Sequence, residues 1–351
     1  MSSGSGSPRG AADVAGPLGF GRWATGWAHE LETVGKPPYE VVLPSADEAT
    51  EILGRLGVGG LDAADVVATL PSRRGTPEWW WLLERACHSL TRAMGDPDWP
   101  HSVWPSWVGQ RFSLQRRCFM AHVFLATMRH TLAWHRRLGI PEAISRASMS
   151  DLARHMTLHR RIHETTGVDA PWWLSLCLRA ELFELGRLQF NWFHLGVGDQ
   201  SPAWYPAEEA RRRGAGFRHG EVCCGVHIPE SGPLTPAACD ESFERAKNFF
   251  AEYFPLSGQS RRLATCWSWL MDDQLATWLP ADSNIMRFQR RFELVPGWVT
   301  TDDSMLEFVF RVPDGLERLD ALPQRTTLQR AAVAHLRAGG HWHSRSGWVD
   351  L

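Results

Sequence analysis

Apolar residues recur at three- and four-residue intervals through the first half of this chain and shift to alternate positions in several segments of the second half. From Pro17 to about Gly167 the pattern predicts helix almost throughout. Ser45 precedes a short amphipathic run to Leu56, with Asp47 and Glu48 where a first helical turn favours acid. Asp62 opens a second helix that ends near Leu70-Pro71. Thr76-Pro77-Glu78 is a strong start signal, and Trp79, Leu82, Leu83, Ala86, Leu90 and Met94 form the stripe that follows it, stopped by Gly95-Asp96-Pro97. A Trp/Pro loop over Asp98–Trp107 leads to two long helices, Leu114–Leu138 and Pro141 to about Thr166.

The pattern changes after Pro171. A short helix is expected from Trp172 to Arg179. Leu182–Leu195 then alternates, with Leu188, Phe190 and Trp192 against Arg187, Gln189 and Asn191, as one strand or as two joined by a bulge or turn. Gly196–Gly220 reads as a polar loop. Val222–Ile228 is a strand with Val222, Cys224, Val226 and Ile228 inward. Thr235-Pro236 opens a helix whose stripe is Cys239, Phe243, Ala246, Phe250 and Tyr253, ended by Pro255. Leu263–Met271 is the next strand. A helix starts at Asp272 and runs to Leu279, and another is capped by Asp282 or Ser283 and runs to Phe292. Met305–Val312 alternates as a strand, Leu328–Leu336 is a helix, and His341–Val349 closes the chain as a strand. The expected fold class is α+β: a helical N-terminal domain over residues 17–170 after a disordered tail over residues 1–16, then a mixed β-sheet domain flanked by helices over residues 171–351.

Composition narrows the function. A net charge of −2 gives no basic field for nucleic acid or anionic lipid. Lysine occurs only at Lys36 and Lys247, which disfavours a Schiff-base mechanism. Seven cysteines without a C-x-x-C pair suggest a reducing cytoplasm rather than a disulfide framework. No apolar run approaches the ~20 residues of a membrane helix. Nineteen tryptophans fit either a core built from large rings or a wide aromatic-lined pocket for a bulky acyl chain or ring-bearing acceptor.

Four segments carry a resemblance. They are Glu184-Leu185-Gly186-Arg187-Leu188-Gln189-Phe190, Val226-His227-Ile228-Pro229-Glu230-Ser231-Gly232-Pro233-Leu234, Cys266-Trp267-Ser268-Trp269-Leu270, and Ser283-Asn284-Ile285-Met286-Arg287-Phe288-Gln289-Arg290-Arg291-Phe292. From about Leu182 to Leu351 the chain resembles the GNAT-like C-terminal domain of bacterial two-domain acyltransferases whose N-terminal domain is helical. The resemblance implies N-acyl transfer from an acyl-CoA or acyl-carrier-protein thioester to an amine of a small molecule or peptide, in specialised biosynthesis, with no metal. The alternative is an inactive GNAT fold that binds an acyl thioester or metabolite. Two departures stand out. Trp267 occupies a position where the family usually has histidine. The turn Pro229–Thr235 has one glycine and two prolines, where a GNAT phosphate loop has two small residues.

Such chemistry needs two parallel strands that splay, so that an amide-bearing pantetheine arm can pair with them, and a helix N-terminus for its phosphates. Those roles fall to Val222–Ile228, Leu263–Met271 and the Thr235 helix. Donor-binding candidates are Val226, Ile228, Ser231, Gly232, Leu234, Thr235, Trp269, Asn284 and Arg287, with Arg290 beside them. Asp240 and Glu241, one turn in, oppose an anion. His227 is the first candidate base, because imidazole titrates near neutrality; a structural histidine is the plain alternative. Glu230 is the second candidate, against a solvated turn carboxylate. Ser268 could bond the thioester or leaving sulfur, or simply be small. His155, His159 and His163, at i, i+4 spacing, admit a helical metal enzyme as a rival, although Arg154, Arg160 and Arg161 crowd them. His341 and His343 share one strand face, lining an acceptor site or facing solvent.

Overall fold

The computed structural model describes residues 8–96, 99, 102–196, 207–213, 219–254, 263–312 and 316–351. The chain forms two compact units, Met1–Phe183 and Glu184–Leu351.

Among the described residues the first unit is helical: α1 (Ala12–Ala15), α2 (Arg22–Val34), α3 (Ala46–Leu56), α4 (Gly60–Ala68), α5 (Pro77–Thr91), α6 (Leu114–Leu138), α7 (Glu142–Met149), α8 (Asp151–His163) and α9 (Pro171–Leu178). The start of α3 is a full capping box: Ser45 Oγ accepts the Glu48 N–H, and the Glu48 carboxylate accepts the Ser45 N–H at 2.8 Å. Ser45→Ala should therefore cost about 1 kcal/mol in chemical denaturation, with an unchanged m-value. The middle of α6, Cys118–Thr127, is buried on every side, which makes α6 the central helix of the unit. Around it Trp27, Trp79, Trp107 and Phe119 meet with ring centroids 5.2 to 6.0 Å apart. These tryptophans are core, and their edge-on and tilted pairings are the favourable ones.

Three details differ from expectation. The tail expected over residues 1–16 contains α1, whose Val14 is fully buried; residues 1–7 lie outside the described residues. The helix expected from Pro141 breaks at Ser150, whose N–H and Oγ both close back onto the Arg146 carbonyl and end α7. Its neighbour Asp151 then goes fully inside, ion-paired to Arg154. Part of the Asp98–Trp107 loop lies outside the described residues.

Strand β1 (Leu182–Glu184) spans the boundary, and the second unit holds β2 (Gln189–His194), α10 (Ala207–Arg213), β3 (Val222–His227), α11 (Pro236–Tyr253), β4 (Leu263–Ser268), α12 (Leu275–Trp278), α13 (Asn284–Gln289), β5 (Glu293–Leu294), β6 (Val299–Thr300), α14 (Asp302–Phe310), α15 (Thr327–Arg337) and β7 (His343–Asp350). The strands form one mixed sheet in the order β1-β2-β3-β4-β7-β5, with β6 also paired to β7. The β2–β3 and β4–β7 pairs are antiparallel, and β3–β4 is parallel. One sheet face carries Phe190, Trp192, Cys224 and Val226. Helix α11 and the residue that closes it cover this face through Phe243 on Phe190 (5.7 Å) and Phe254 on Trp192 (5.1 Å).

The expected strand Met305–Val312 is a helix. Thr301, Asp302 and Asp303 make a helix start, and Asp302, Met305, Leu306 and Phe310 are buried at three- and four-residue spacing. Phe308, which a strand would have put beside Leu306 and Phe310, is 49% exposed. Eight residues satisfied both periods, and packing chose the helical one. Helix α10 lies inside the expected loop Gly196–Gly220, of which 197–206 and 214–218 are outside the described residues. The expected stop at Pro255 is also outside them. Strand β3 is buried on both faces rather than one. It is a central strand, and Cys223 packs with Leu195, Ala210, Leu263 and Val295. Strand β4 ends at Ser268, whose Oγ accepts the Leu270 N–H and turns Trp269–Met271 into a 3₁₀ helix.

Candidate active site

The two parallel strands at the centre of the sheet are in register only at Cys224↔Ala264 and Gly225↔Thr265. Beyond that point each stays bound to its outer neighbour. Val226 and His227 pair with Phe190 and Gln189 of β2; Cys266, Trp267 and Ser268 pair with Gly347, Ser346 and Arg345 of β7. The strands are anchored on their outer edges and diverge on their facing edges. The opening begins where Gly225, without a side chain, ends the paired stretch.

Strand alternation sorts the side chains at this opening. Val226, Cys266 and Ser268 belong to the face covered by α11. Gln189, Asn191, His227, Thr265 and Trp267 belong to the other. His227 and Trp267 thus stand on one face, on opposite sides of the divergence. Trp267 is 52% exposed, unusual for so large a ring on an interior strand. His227 is half-buried, and Asn191 Oδ1 accepts its Nε2–H at 2.7 Å. Desolvation pushes its pKa down to about 3, so the ring is neutral at working pH. The Asn191 contact leaves Nδ1 as the ring's basic nitrogen.

The other two catalytic candidates are engaged differently. Glu230 Oε2 is 2.7 Å from Arg311 Nη2, an ion pair at the end of α14. Ser268 caps the 3₁₀ turn as above, which commits an oxygen lone pair and leaves its O–H as a donor. Asp272, fully buried, ties that turn to the start of β7 by accepting the His343 N–H at 2.8 Å and the Gln274 N–H at 3.0 Å.

Past His227 the chain passes Ile228 and enters the turn Pro229–Thr235. Ser231 and Gly232 are exposed there, Leu234 is buried, and Gly232 has φ +111°, a region that disfavours any side chain. Thr235 then caps α11, its Oγ1 accepting the Ala238 N–H. The two acids expected to oppose an anion here are both ion-paired, Asp240 to Arg291 and Glu241 to Arg245. The hydrogen bond from Arg291 lowers the Asp240 pKa and keeps its charge matched. Arg291 also donates to the Pro236 carbonyl at 3.0 Å. Ser283 caps α13 by accepting the Met286 N–H, which sets the half-buried Asn284 and the exposed Arg287 on that helix, with the exposed Arg290 at its C-terminal end.

The family described as GNAT-like C-terminal domain matches residues 182–349, and the N-acyltransferase N-terminal domain matches residues 47–180. The chain belongs to the GNAT-like N-acyltransferase family. Solved structures agree over almost its whole length. An acyltransferase in complex with decanoyl-CoA is 38% identical with a TM-score of 0.84, covering 97% of this chain and 99% of that one. An acyltransferase in complex with decanoyl-CoA and teicoplanin is 36% identical, with a TM-score of 0.82 and the same coverage. An acyltransferase in complex with CoA and 10C-teicoplanin matches equally well. No curated protein matches.

The other constellations of this family member have structural occupations. His159 donates from Nδ1 to the Thr165 carbonyl (2.9 Å) and accepts the Gly109 N–H on Nε2 (3.2 Å), so both nitrogens are spent on backbone. Among the described residues, no group of three histidines, cysteines or acids is placed to hold a metal ion, and no helix is long and apolar enough to cross a membrane. His341 is bonded to Asp302 at 2.7 Å, and His343 stacks under Trp298 at 3.8 Å. Sequence reasoning missed Asn191 as the partner of His227, and Asp272 as the anchor of the β4 exit. Asn191 shares with His227 only a sheet face, a relation visible once the β2–β3 register is known.

Proposed function

We propose that the protein transfers an acyl group from acyl-CoA to an amine, on a small molecule or a peptide-like acceptor. The observation that carries this is the divergence of β3 and β4 after Gly225 and Thr265. Past those two pairs the facing main-chain groups of β3 and β4 are not bonded to each other, and an amide-bearing pantetheine arm pairs with such groups as a pseudo-strand. The decanoyl-CoA and teicoplanin complexes of proteins 36 to 38% identical support the donor class and a bulky acceptor. A carrier-protein thioester presents the same arm and is a second donor to test.

In this reading Val226, Ile228 and Trp269 border the arm, and Ser231, Gly232, Leu234 and Thr235 face its phosphates together with the α11 N-terminus. Asn284 and Arg287 add polar contacts. The neutral amine attacks the thioester carbonyl, a C–N bond forms, and the tetrahedral intermediate collapses with loss of the CoA thiolate. His227 Nδ1 accepts the amine proton, directly or through water, and the proton passes on to the thiolate. Ser268 O–H stabilises the leaving sulfur, which needs little help because a thiol pKa is about 8.5. Glu230, paired to Arg311, contributes charge at the cleft rather than proton transfer. Much of the rate comes from holding the two reactants together. We place the protein in the cytoplasm, in specialised biosynthesis.

The test is incubation of purified protein with acyl-CoAs of two to ten carbons and a panel of amines, following free thiol and product mass. Thiol release that depends on the amine, with an acylated product, is expected. Donor binding without any product across the panel would indicate an inactive binding protein and overturn the transferase reading.

A further inference from the structure

We propose that Arg187 is the positioning residue that shapes the donor's phosphate-binding loop, doing here what a second small residue does in other GNAT loops. This rests on the acyl-CoA reading above. Arg187 sits in the β1–β2 turn, outside the loop, yet its guanidinium donates to three loop carbonyls. Nη1 bonds the Pro229 oxygen (2.9 Å), Nη2 the Gly232 oxygen (2.7 Å), and Nε the Gly232 and Pro233 oxygens (3.0 and 3.3 Å). Nη1 also reaches Ser231 Oγ at 3.4 Å. The turn that carries Arg187 is itself fixed on α11, where Ser242 Oγ accepts the Arg187 and Leu188 N–H groups at 2.8 and 3.3 Å.

The consequence follows from peptide geometry. In a trans peptide the C=O and the next residue's N–H point in opposite directions, and the described chain has no cis peptide. Holding the Pro229 and Pro233 oxygens on Arg187 therefore aims the Glu230 and Leu234 N–H groups away from it. Pro233 and Pro236 have no N–H to misdirect. Gly232 takes the φ of +111° that the arrangement needs. The planar five-donor fork makes this possible, and a point-charge ammonium cannot serve three oxygens in the same way. Arg187 thus acts through backbone, and its effect is confined to the part of the donor that meets the loop, the CoA diphosphate rather than the pantetheine arm.

The experiment compares binding of an acyl-CoA and of the matching acyl-pantetheine, which lacks the diphosphate and nucleotide, to wild type, Arg187→Ala and Arg187→Lys. In Arg187→Ala the ratio of the two Kd values should shift about tenfold against acyl-CoA, the loss of roughly one charge-assisted hydrogen bond. Arg187→Lys should fall between it and wild type. The acyl-pantetheine arm reports whether each variant still presents a folded cleft, and far-UV circular dichroism checks the fold separately. An unchanged ratio, or equal weakening of both ligands, overturns the role of Arg187 alone. A wild-type protein that binds neither ligand overturns the acyl-CoA reading as well.

Discussion

His227→Ala should lower kcat about 100-fold while leaving the Kd for acyl-CoA within about twofold, the loss expected when one positioned proton acceptor is removed. Place and protonation state act together here. His227 stands at the mouth of the strand divergence with Nε2–H spent on Asn191, so Nδ1 is the nitrogen that can take a proton. Burial has pushed its pKa down to about 3. The wild-type rate should then show no imidazole limb near pH 6.5; the rise of rate with pH belongs to deprotonation of the acceptor amine. A lowered pKa also makes His227 a weak base, which sets the expected loss near the lower end of the usual range. His227→Gln keeps a donor for Asn191 but has no basic nitrogen, and it should match His227→Ala in kcat. Pre-steady-state acyl transfer at saturating donor and acceptor measures this. A glutamine variant with wild-type kcat would show that His227 only supports the strand.

The protein should lose much of its stability between pH 6.5 and 5. His122 and His135 in the first unit are at most 1% exposed. His122 Nε2 bonds the Val66 carbonyl, and His135 Nδ1 bonds Ser145 Oγ. Burial lowers both pKa values to about 4. The unfolded chain binds these protons at its ordinary pKa of about 6.5, whereas the fold refuses them until about pH 4. Stability is therefore complete above pH 6.5 and is lost as pH falls, at roughly 1.4 kcal/mol per pH unit per histidine. At pH 5 the pair accounts for roughly 4 kcal/mol, a large part of a typical ~5–15 kcal/mol. His159 and His227 shift in the same direction. Urea denaturation at pH 7.5, 6.5 and 5.0 measures the slope. His122→Gln should flatten it by the share of one histidine, and a slope unaffected by that substitution would mean other groups cause the acid loss.

Local signals carried most of the fold. Ser45 and the Thr235 helix start were legible in the sequence, because capping depends on three or four neighbouring residues; between Asp282 and Ser283 the structure chose Ser283. The expected span Leu114–Leu138 matches α6, which Gly139 closes in the left-handed conformation. Met305–Val312 failed because eight residues fit two periods, and the choice came from which residues the unit buried. At the site, His227, the Pro229–Thr235 turn and the α11 N-terminus could be found along the chain. Asn191 and Arg187 could not be given roles, since each acts across strands on a partner 36 or more residues away. The opposition expected from Asp240 vanished similarly, because Arg291, 51 residues away, neutralises it; Glu241 is matched locally by Arg245 one helical turn on.

The order of residues alone determined a helical first half and a mixed-sheet second half, because caps, turns and periodicity are short-range properties of the chain. Only the tertiary structure decided that β3 and β4 part after two paired residues, that one arginine holds three loop carbonyls, and that His122, His135 and His159 are stripped of water. Those outcomes depend on strand register and burial, which are fixed when distant segments pack against one another.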